Sequence, residues 1–474
     1  MTQQNLNQML DEMRQAHIQA EFPSAILRID RLERAKKLLI ENRDQLLATI
    51  SADFGHRNIF QGLATDILAS IALLTDAQQQ LNDWMKSETV SNSFDGMQTE
   101  IQYQPLGVVG IISPWNFPLN LAFGPLASVF AAGNSAVIKP SELTPQTSEL
   151  LAQLVPQYFE THELRVVTGD ADVGAAFSAL AFDHLIFTGS TNVGKHVMRA
   201  AAENLVPVTL ELGGKSPVIV TEHFDLKNAV ERIFTVKTFN AGQICISPDY
   251  VMMPKSLNQA FIEHAQNFLQ ESYAARFFDN DDYTSIINDK HFTRLQHLLE
   301  DAKIKGANIV ALGQESEISD RHKRKIVPIL VLGVTDDMLI MQEEIFGPIL
   351  PIKNISSVEQ AIEYINAHPR PLAAYYFDDH KERQQYFSEK TVSGGLVIND
   401  VLTHVIIDSL PFGGVGASGM GAYHGIHGFK RFSHAKAVVI QSKNAESNQR
   451  LRAPYAEKLI ATQTMLNQAT TAET

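Results

Sequence analysis

One cysteine, Cys245, stands in a chain of 474 residues, so the sequence excludes an internal disulfide and a cysteine-rich metal site. An excess of basic charge is also missing. Lysine and arginine number 39 against 53 acidic residues, a formal charge of 39 − 53 = −14, which repels a phosphate backbone and argues against nucleic acid as a partner. No uninterrupted apolar run approaches the about 18 residues of a membrane span, and the opening MTQQNLNQMLDEM lacks the basic-then-apolar pattern of a secretory leader. The expectation is a cytoplasmic protein with no membrane partner. What the chain does have is a hydrophobic content of 45%, enough for a large core.

Residues 28–52 read as one amphipathic helix, with Leu32, Ala35, Leu38, Leu39, Leu46, Leu47 and Ile50 near a 3.6-residue period, and a second helix is expected from about Gly62 to Met85. The polar stretch 88–105, centred on Asp95-Gly96, carries a hairpin signal and reads as an oligomerisation arm. From Gly107 onward apolar strands alternate with helices: GVVGIIS, SAVIKP, LRVVTG, HLIFTGS and PVTLELGG, then SPVIVT, YVMMP, NIVALG, ILPIKN, AAYYF and GLVIND. Continuous apolar strands between helices indicate parallel sheets covered on both faces. The expected fold class is α/β, with two doubly wound domains, a Rossmann-like cofactor domain and a catalytic domain, plus a small β-hairpin arm. The expected boundaries are 1–85 and 106–211 for the cofactor domain and 212–410 for the catalytic domain. The arm is expected at 86–105 and 430–445, and a polar tail at 446–474.

Three glycine-rich stretches invite a phosphate-binding reading. GVGASG, 414–419, matches G-x-G-x-x-G by letter, but it leaves no strand and opens no helix, so it is rejected as a dinucleotide loop. LGGKS, 212–216, lacks the earlier glycine of a P-loop, because position 209 is Thr209. FTGSTNVG, 187–194, leaves a strand and opens a helix, with Gly189 and Gly194 for close approach and Ser190 as a hydroxyl. His424 and His427 make an H-x-x-H pair in a glycine loop without an apparent third ligand, so no metal is expected. The run 321–325 reads as a basic surface turn, and Met252 and Met253 as core.

PWNFP (114–118), VIKPSE (137–142), the glycine turn, LELGGKSP (210–217), NAGQICIS (240–247) and EEIFGP (343–348) occur in an order and spacing that resemble the NAD(P)-dependent aldehyde dehydrogenases, from about residue 25 to 440. The separation of Glu211 from Cys245, 245 − 211 = 34 residues, matches that family. NDVLTHVIIDSLPFGGVGASGMGAYHG and FSHAKAV resemble its class-three branch, and DFGHRN, 53–58, is similar to bacterial coniferyl aldehyde dehydrogenases. One departure is that residues 117–138 contain no lysine, where many members carry one, which weighs against a proton relay borrowed from those members.

The resemblance implies that Cys245 is the nucleophile, Glu211 the general base and Asn116 an oxyanion donor beside the Cys245 backbone N–H. Trp115, Gly189, Ser190 and Gly194 would lie along a pyrophosphate. Lys139, Ser141 and Glu142 would hold the adenosine ribose, Glu344 the nicotinamide ribose, and Phe346 would flank the ring. NAD is the first expectation, since Glu142 repels a 2′-phosphate, and NADP stays open. The chemistry follows from the residues: a thiolate adds to the carbonyl, the resulting oxyanion expels hydride, and water hydrolyses the thioester. The substrate implied is an aromatic aldehyde of the coniferyl type, the product its acid, and the assembly a homodimer. A medium-chain aliphatic aldehyde, or acyl transfer to CoA instead of water, are the alternatives.

Overall fold

The computed structural model describes residues 3–20, 22–92, 94, 96–443 and 447–471. The expected turn residue Asp95 lies outside them. The chain forms two compact units, one of residues 1–85 with 104–434 and the other of 86–103 with 435–474.

In the larger unit the N-terminal helices Gln3–Gln19, Ala25–Glu41 and Arg43–Phe54 precede a long helical stretch from Ile59 to Trp84. The single helix expected over 28–52 is two helices. Asn42 sits between them at φ −109°, ψ 13°, and its Nδ2 donates to the Leu38 carbonyl at 2.9 Å and to the Tyr158 hydroxyl at 3.0 Å. An asparagine side chain competing with the backbone ends the first helix, while the apolar pattern runs on in phase and hides the break. The stretch Ile59–Trp84 is long and apolar enough to cross a membrane by length and composition. Here it is a packing helix, seated against Ala25–Glu41 and Asn120–Ala131. A π-helical turn, Leu63–Leu68, interrupts it and carries the fully buried Asp66.

The first sheet has six strands in the spatial order Gly419–Met420, Val208–Leu212, His184–Gly189, Val108–Ile112, Ser135–Lys139, Leu164–Val166. All neighbours are parallel except Gly419–Met420, which runs antiparallel to Val208–Leu212. The strand order reverses beside Val108–Ile112, whose neighbours are the strands next after it and three after it in sequence. In doubly wound sheets that point opens a crevice at the strands' carboxyl ends. One face is covered by Leu6, Met9, Leu10 and Met13 of the first helix, packed with Phe177, Phe182 and Leu185.

The second sheet has seven strands, in the order Asn308–Ala311, Ile329–Leu332, Ile349–Asn354, Tyr250–Met253, Pro217–Val220, Ala373–Phe377, Gly395–Ile398. Only the edge strand Asn308–Ala311 is antiparallel to its neighbour.

A third sheet pairs Glu88–Thr89 with Gln98–Pro105 and ends on Ser433–Ile440. Gly96, at φ +68°, supplies the left-handed position in the connection. Where the sequence suggested only a polar tail, a 16-residue helix, Ala456–Thr471, exposes Leu459, Ile460, Met465 and Leu466.

Candidate active site

The crevice predicted by the reversal in strand order is present, and its two lips are the segments following Val108–Ile112 and His184–Gly189. They bring Trp115 and Asn116 to one side and Gly189 and Ser190 to the other. A continuous cavity of about 1420 Å³ is walled by these four, together with Glu211, Cys245, Glu344 and Phe346.

Cys245 is placed by the turn that precedes it. Helix Leu226–Thr238 ends, and Asn240, Ala241 and Gly242 follow at φ 50°, 51° and 71°. Left-handed backbone costs about 1–2 kcal/mol for each residue with a Cβ, so the turn exists only because its surroundings hold it. Asn240 donates its backbone N–H to Gln61 Oε1 at 3.0 Å and its Nδ2 to the Gln243 carbonyl at 3.1 Å. Gln243 donates to the Asn240 and Ser285 carbonyls and accepts from the Ile287 N–H at 3.0 Å. Gly242 has no alternative, since a Cβ there would meet the Gly347 carbonyl oxygen at 2.5 Å. The residues N-A-G-Q are thus a clamp that presents the thiol. Ile244 and Ile246, on either side, are buried.

Asn116 is held against this turn. Its Nδ2 donates to the Gln243 carbonyl at 3.3 Å, two residues before the thiol, and its carbonyl accepts from Arg57 at 2.9 Å and Asn240 at 3.3 Å. Arg57 pairs with Asp66 at 3.0 Å, and Asp66 Oδ1 accepts the N–H groups of Leu119 and Asn120 at 3.0 and 3.4 Å. The buried pair therefore ties the π-helical turn to both ends of the P-W-N-F-P-L-N segment.

Glu211 lies near the end of strand Val208–Leu212, 3% exposed, with neither carboxylate oxygen bonded to a partner among the described residues. Burial alone pushes its carboxyl well above the ordinary 4.5. The rejected G-V-G-A-S-G stretch finds its purpose here: Gly419 pairs in register with Glu211, and its φ of +138° lets the backbone approach Leu210 where a Cβ would collide with the carbonyl oxygen. The Cys245 thiol is pushed up to about 12, by burial first and then by the Glu344 and Glu211 carboxylates. Its side chain still reaches the cavity.

Glu344 is pushed up to about 8, by burial and then by Asp249. It faces Gly213, where a Cβ would strike the carboxylate. Lys215 joins this loop to the strand end, bonding Asp249 and the carbonyls of Ile340 and Glu343 at 2.8 and 2.9 Å, while Asp249 accepts the Ile345 N–H at 2.8 Å. Trp115 and Phe346 meet edge-on with centroids 5.4 Å apart. Phe346 holds φ +51°.

The remaining expected residues stand outside the cavity wall. Lys139 pairs with Glu142 at 3.0 Å at the carboxyl end of Ser135–Lys139, and Ser141 Oγ accepts the Leu143 N–H at 3.2 Å. Gly194 is a packing glycine. A Cβ there would meet Leu212 at 2.6 Å, so it sets how closely helix Thr191–Ala202 lies on the sheet. Ser190 caps that helix through the Val193 N–H. Sequence reasoning assigned no role to Arg57, Asp66, Gln61, Gln243, Asp249 or Lys215; D-F-G-H-R-N, N-A-G-Q-I-C-I-S and L-E-L-G-G-K-S-P, noted for resemblance, contain Arg57, Gln243 and Lys215, and no motif pointed to the other three. Among the described residues no group of three or more His, Cys, Asp or Glu side chains is arranged to hold a metal ion.

A nicotinamide dinucleotide fits this wall. Gly189 and Ser190 open a 12-residue helix whose N-terminus favours a pyrophosphate. The buried Glu344 carboxylate, raised by burial and by Asp249, suits a ribose diol, and the Trp115–Phe346 pair flanks a planar ring.

The model of the aldehyde dehydrogenase family matches residues 1–438. Coniferyl aldehyde dehydrogenase of Pseudomonas sp. (strain HR199 / DSM 7063) is 53% identical over 458 residues, covering 96% of this chain and 95% of that protein. The dimeric, NADP-preferring aldehyde dehydrogenase of Rattus norvegicus is 37% identical over 443 residues, covering 93% and 96%. The solved substrate-bound state of Staphylococcus aureus AldH is 38% identical, with 97% of this chain and 99% of that one covered and a TM-score of 0.91. With the family model spanning the crevice, the thiol and the buried carboxyl alike, the chain belongs to the aldehyde dehydrogenase family and is an oxidoreductase that acts on aldehydes.

Proposed function

We propose that the enzyme oxidises coniferyl and related aromatic aldehydes to their carboxylic acids by a hydrolytic route through Cys245. The observation that carries the hydrolytic part is Glu211: a buried carboxyl, without a hydrogen-bond partner among the described residues and raised by desolvation, in the same cavity as the only thiol. The substrate class is supported by the 53% identity to a coniferyl aldehyde dehydrogenase.

The Cys245 thiol gives up its proton to solvent and adds as the thiolate to the aldehyde carbon, so that the carbonyl oxygen becomes an oxyanion. Asn116 Nδ2 and the Cys245 N–H donate to it, each contributing on the order of 3–4 kcal/mol in a dry, pre-arranged site. NAD(P)+, when bound, would supply the hydride acceptor as the thioester forms on Cys245. Glu211, ionised above its raised pKa, takes a proton from the water that attacks the thioester, and Cys245 departs as the leaving group. Transfer of the acyl group to CoA would need no such base. Medium-chain aliphatic aldehydes are the second reading, favoured by the apolar walls Leu121, Leu402 and Val405.

NAD rather than NADP is supported by Glu142 on Lys139, a carboxylate where a 2′-phosphate would be repelled. A homodimer is supported by the strand Ser433–Ile440, a sheet edge with Val439 and Ile440 exposed. A reducing, cytosolic setting is supported by the lone free thiol, which such a setting keeps reduced. The division of labour proposed gives the first sheet to the cofactor and the second to the thiol. Reduced-cofactor formation from coniferaldehyde, benzaldehyde and hexanal, with NAD+ and then NADP+, tests the reading. Preference for coniferaldehyde and NAD+ supports it, preference for hexanal moves the enzyme to aliphatic substrates, and turnover only with added CoA overturns the hydrolytic route.

A further inference from the structure

A nicotinamide dinucleotide carries a charged pyrophosphate, while this chain has a formal charge of −14. The overall field repels such a ligand, so the crevice needs a local excess of positive charge to capture it. Among the described residues, the lysine and arginine side chains that line the cavity are Lys195, Lys215, Arg294 and Arg370. All belong to the crevice side, built from helix Thr191–Ala202, the turn after Val208–Leu212, helix Asp289–Ile304 and the turn before Ala373–Phe377. The opposite wall, from helix Ile59–Trp84, helix Asn120–Ala131 and residues 402–412, is mainly apolar. It carries no lysine or arginine and one carboxylate, Asp408.

Most of the charge on the crevice side cancels locally. Lys215 pairs with Asp249. Asp336, also on the cavity wall, pairs with Lys353 at 2.8 Å and accepts the Tyr364 hydroxyl at 2.8 Å. Arg294 donates to the Glu344 carbonyl at 3.0 Å and to that of Ile345, and its charge meets the Glu343 carboxylate. Glu344, at about 8, is mostly uncharged at pH 7. Lys195 and Arg370 are left over. Both are exposed, and neither has a hydrogen bond or ion pair among the described residues.

The two reach the crevice beside the Gly189–Ser190 turn. Lys195 stands in the second turn of helix Thr191–Ala202, whose first residue donates its Oγ1 to the Ala417 carbonyl at 3.1 Å. A Cβ on Gly416, the residue before Ala417, would lie 3.7 Å from Arg370 Cδ. The glycine loop 414–419 thus joins the start of that helix to Arg370, which comes from the second sheet's side of the crevice.

We propose that Lys195 and Arg370 are steering residues, which draw the cofactor's pyrophosphate onto the Gly189–Ser190 turn against the net charge of the chain. The inference rests on the nicotinamide dinucleotide fitted to this wall above. N–H groups at a helix start act on a phosphate at short range, whereas an unpaired cation attracts it over about a Debye length, ~8–10 Å at moderate salt. Because both cations are unpaired beforehand, no existing ion pair has to break when the phosphate arrives. Both side chains are exposed, so each acts through its charge rather than through a fixed fork of hydrogen bonds, and a lysine serves equally at position 370. The bare apolar wall gives the approach a direction. An anion is drawn in from the helix side and repelled by Asp408 on the other, which is left to the neutral aldehyde.

The test is the association rate of NADH, followed by stopped-flow fluorescence without aldehyde, in the wild type, Lys195→Gln, Arg370→Gln and Arg370→Lys. Each is measured at about 20 mM and at about 0.3 M salt. The wild-type rate is expected to fall about three- to tenfold between the two salts. Each glutamine variant is expected to be about threefold slower than wild type at low salt and nearly equal to it at high salt, with the dissociation constant raised in step. Arg370→Lys is expected to keep the wild-type rate. A rate that is insensitive to salt and unchanged in both glutamine variants overturns the steering role while leaving the cofactor reading intact. A loss in Arg370→Gln that Arg370→Lys does not restore overturns it as well, because charge alone would then not be the cause. Failure of the wild type to bind NADH or NADPH at either salt overturns the cofactor reading itself, and the steering with it.

Discussion

Arg57 and Asp66 form a fully buried ion pair, 3.0 Å apart, that holds the Asn116 carbonyl through the guanidinium and the Leu119 and Asn120 N–H groups through the carboxylate. Phe54 and Phe117 flank the guanidinium at 5.1 and 5.0 Å. Breaking such a pair from one side leaves an uncompensated buried charge and costs about 3–5 kcal/mol. Asp66→Ala is expected to lower the thermal midpoint accordingly and to reduce kcat by more than about tenfold as Asn116 loses its register. Thermal unfolding and steady-state kinetics check this. A variant with unchanged midpoint and kcat would show that the pair does not brace the segment.

Glu211→Gln separates the two halves of the reaction. On the proposed route thioester formation needs no base at Glu211, whereas hydrolysis does. The expected trace is a burst of reduced cofactor near one per active site, followed by a steady rate about 10²–10⁴ lower than wild type. In the wild type the steady rate rises with pH from the ordinary carboxyl range through the raised Glu211 value, because only the ionised form is a base.

The same group makes a stability prediction with a defined sign. Its folded-state value is raised, so its contribution is most favourable below about pH 4.5 and is lost as pH rises through the raised value. Glu211→Gln removes that loss. The variant is expected to melt higher than wild type at pH 8 and nearly equal to it at pH 4.5, read by thermal unfolding at the two pH values. A lower midpoint at pH 8 would place an unseen favourable partner on the carboxylate.

Without cofactor the Cys245 thiol is held up at about 12 by burial and by the Glu344 and Glu211 carboxylates. Alkylation by iodoacetamide is therefore expected to be slow at pH 9, where Glu344, at about 8, is mostly ionised. Glu344→Gln removes one negative neighbour, lowers the thiol's pKa and accelerates alkylation at that pH. An unchanged or slower rate would mean that Glu344 does not act on the sulfur.

The left-handed turn before Cys245 is open to the same kind of test. Ala241, fully buried at φ 51°, is strained. Ala241→Gly relieves that strain by about 1 kcal/mol at some entropic cost, while Ala241→Val adds to it and displaces the thiol. The glycine variant is expected to keep its thermal midpoint within a few degrees and the valine variant to lose both stability and kcat. Equal behaviour of the two would contradict the clamp.

Much of this was legible in the sequence. Continuous apolar strands such as Val208–Leu212 announce a parallel sheet because both faces are buried, and the candidate residues Cys245, Glu211 and Asn116 meet in one cavity. The break at Asn42 was hidden because the helical period continues across it. Arg57 and Asp66 were hidden for a different reason: a charged residue in a sequence reads as solvated, and only the fold reveals two charges buried together. His424 stood out only for its spacing to His427, which was weighed as a metal pair and set aside, and nothing in that spacing pointed to its place beside Phe412.

The most direct test of the hydrolytic route is the intact mass of Glu211→Gln after mixing with coniferaldehyde and NAD+, followed by peptide mapping. The expected result is a feruloyl adduct at near one per chain, located on Cys245 and absent from Cys245→Ser. Full turnover by Glu211→Gln with no adduct on Cys245 would contradict the assignment of Glu211 as the base.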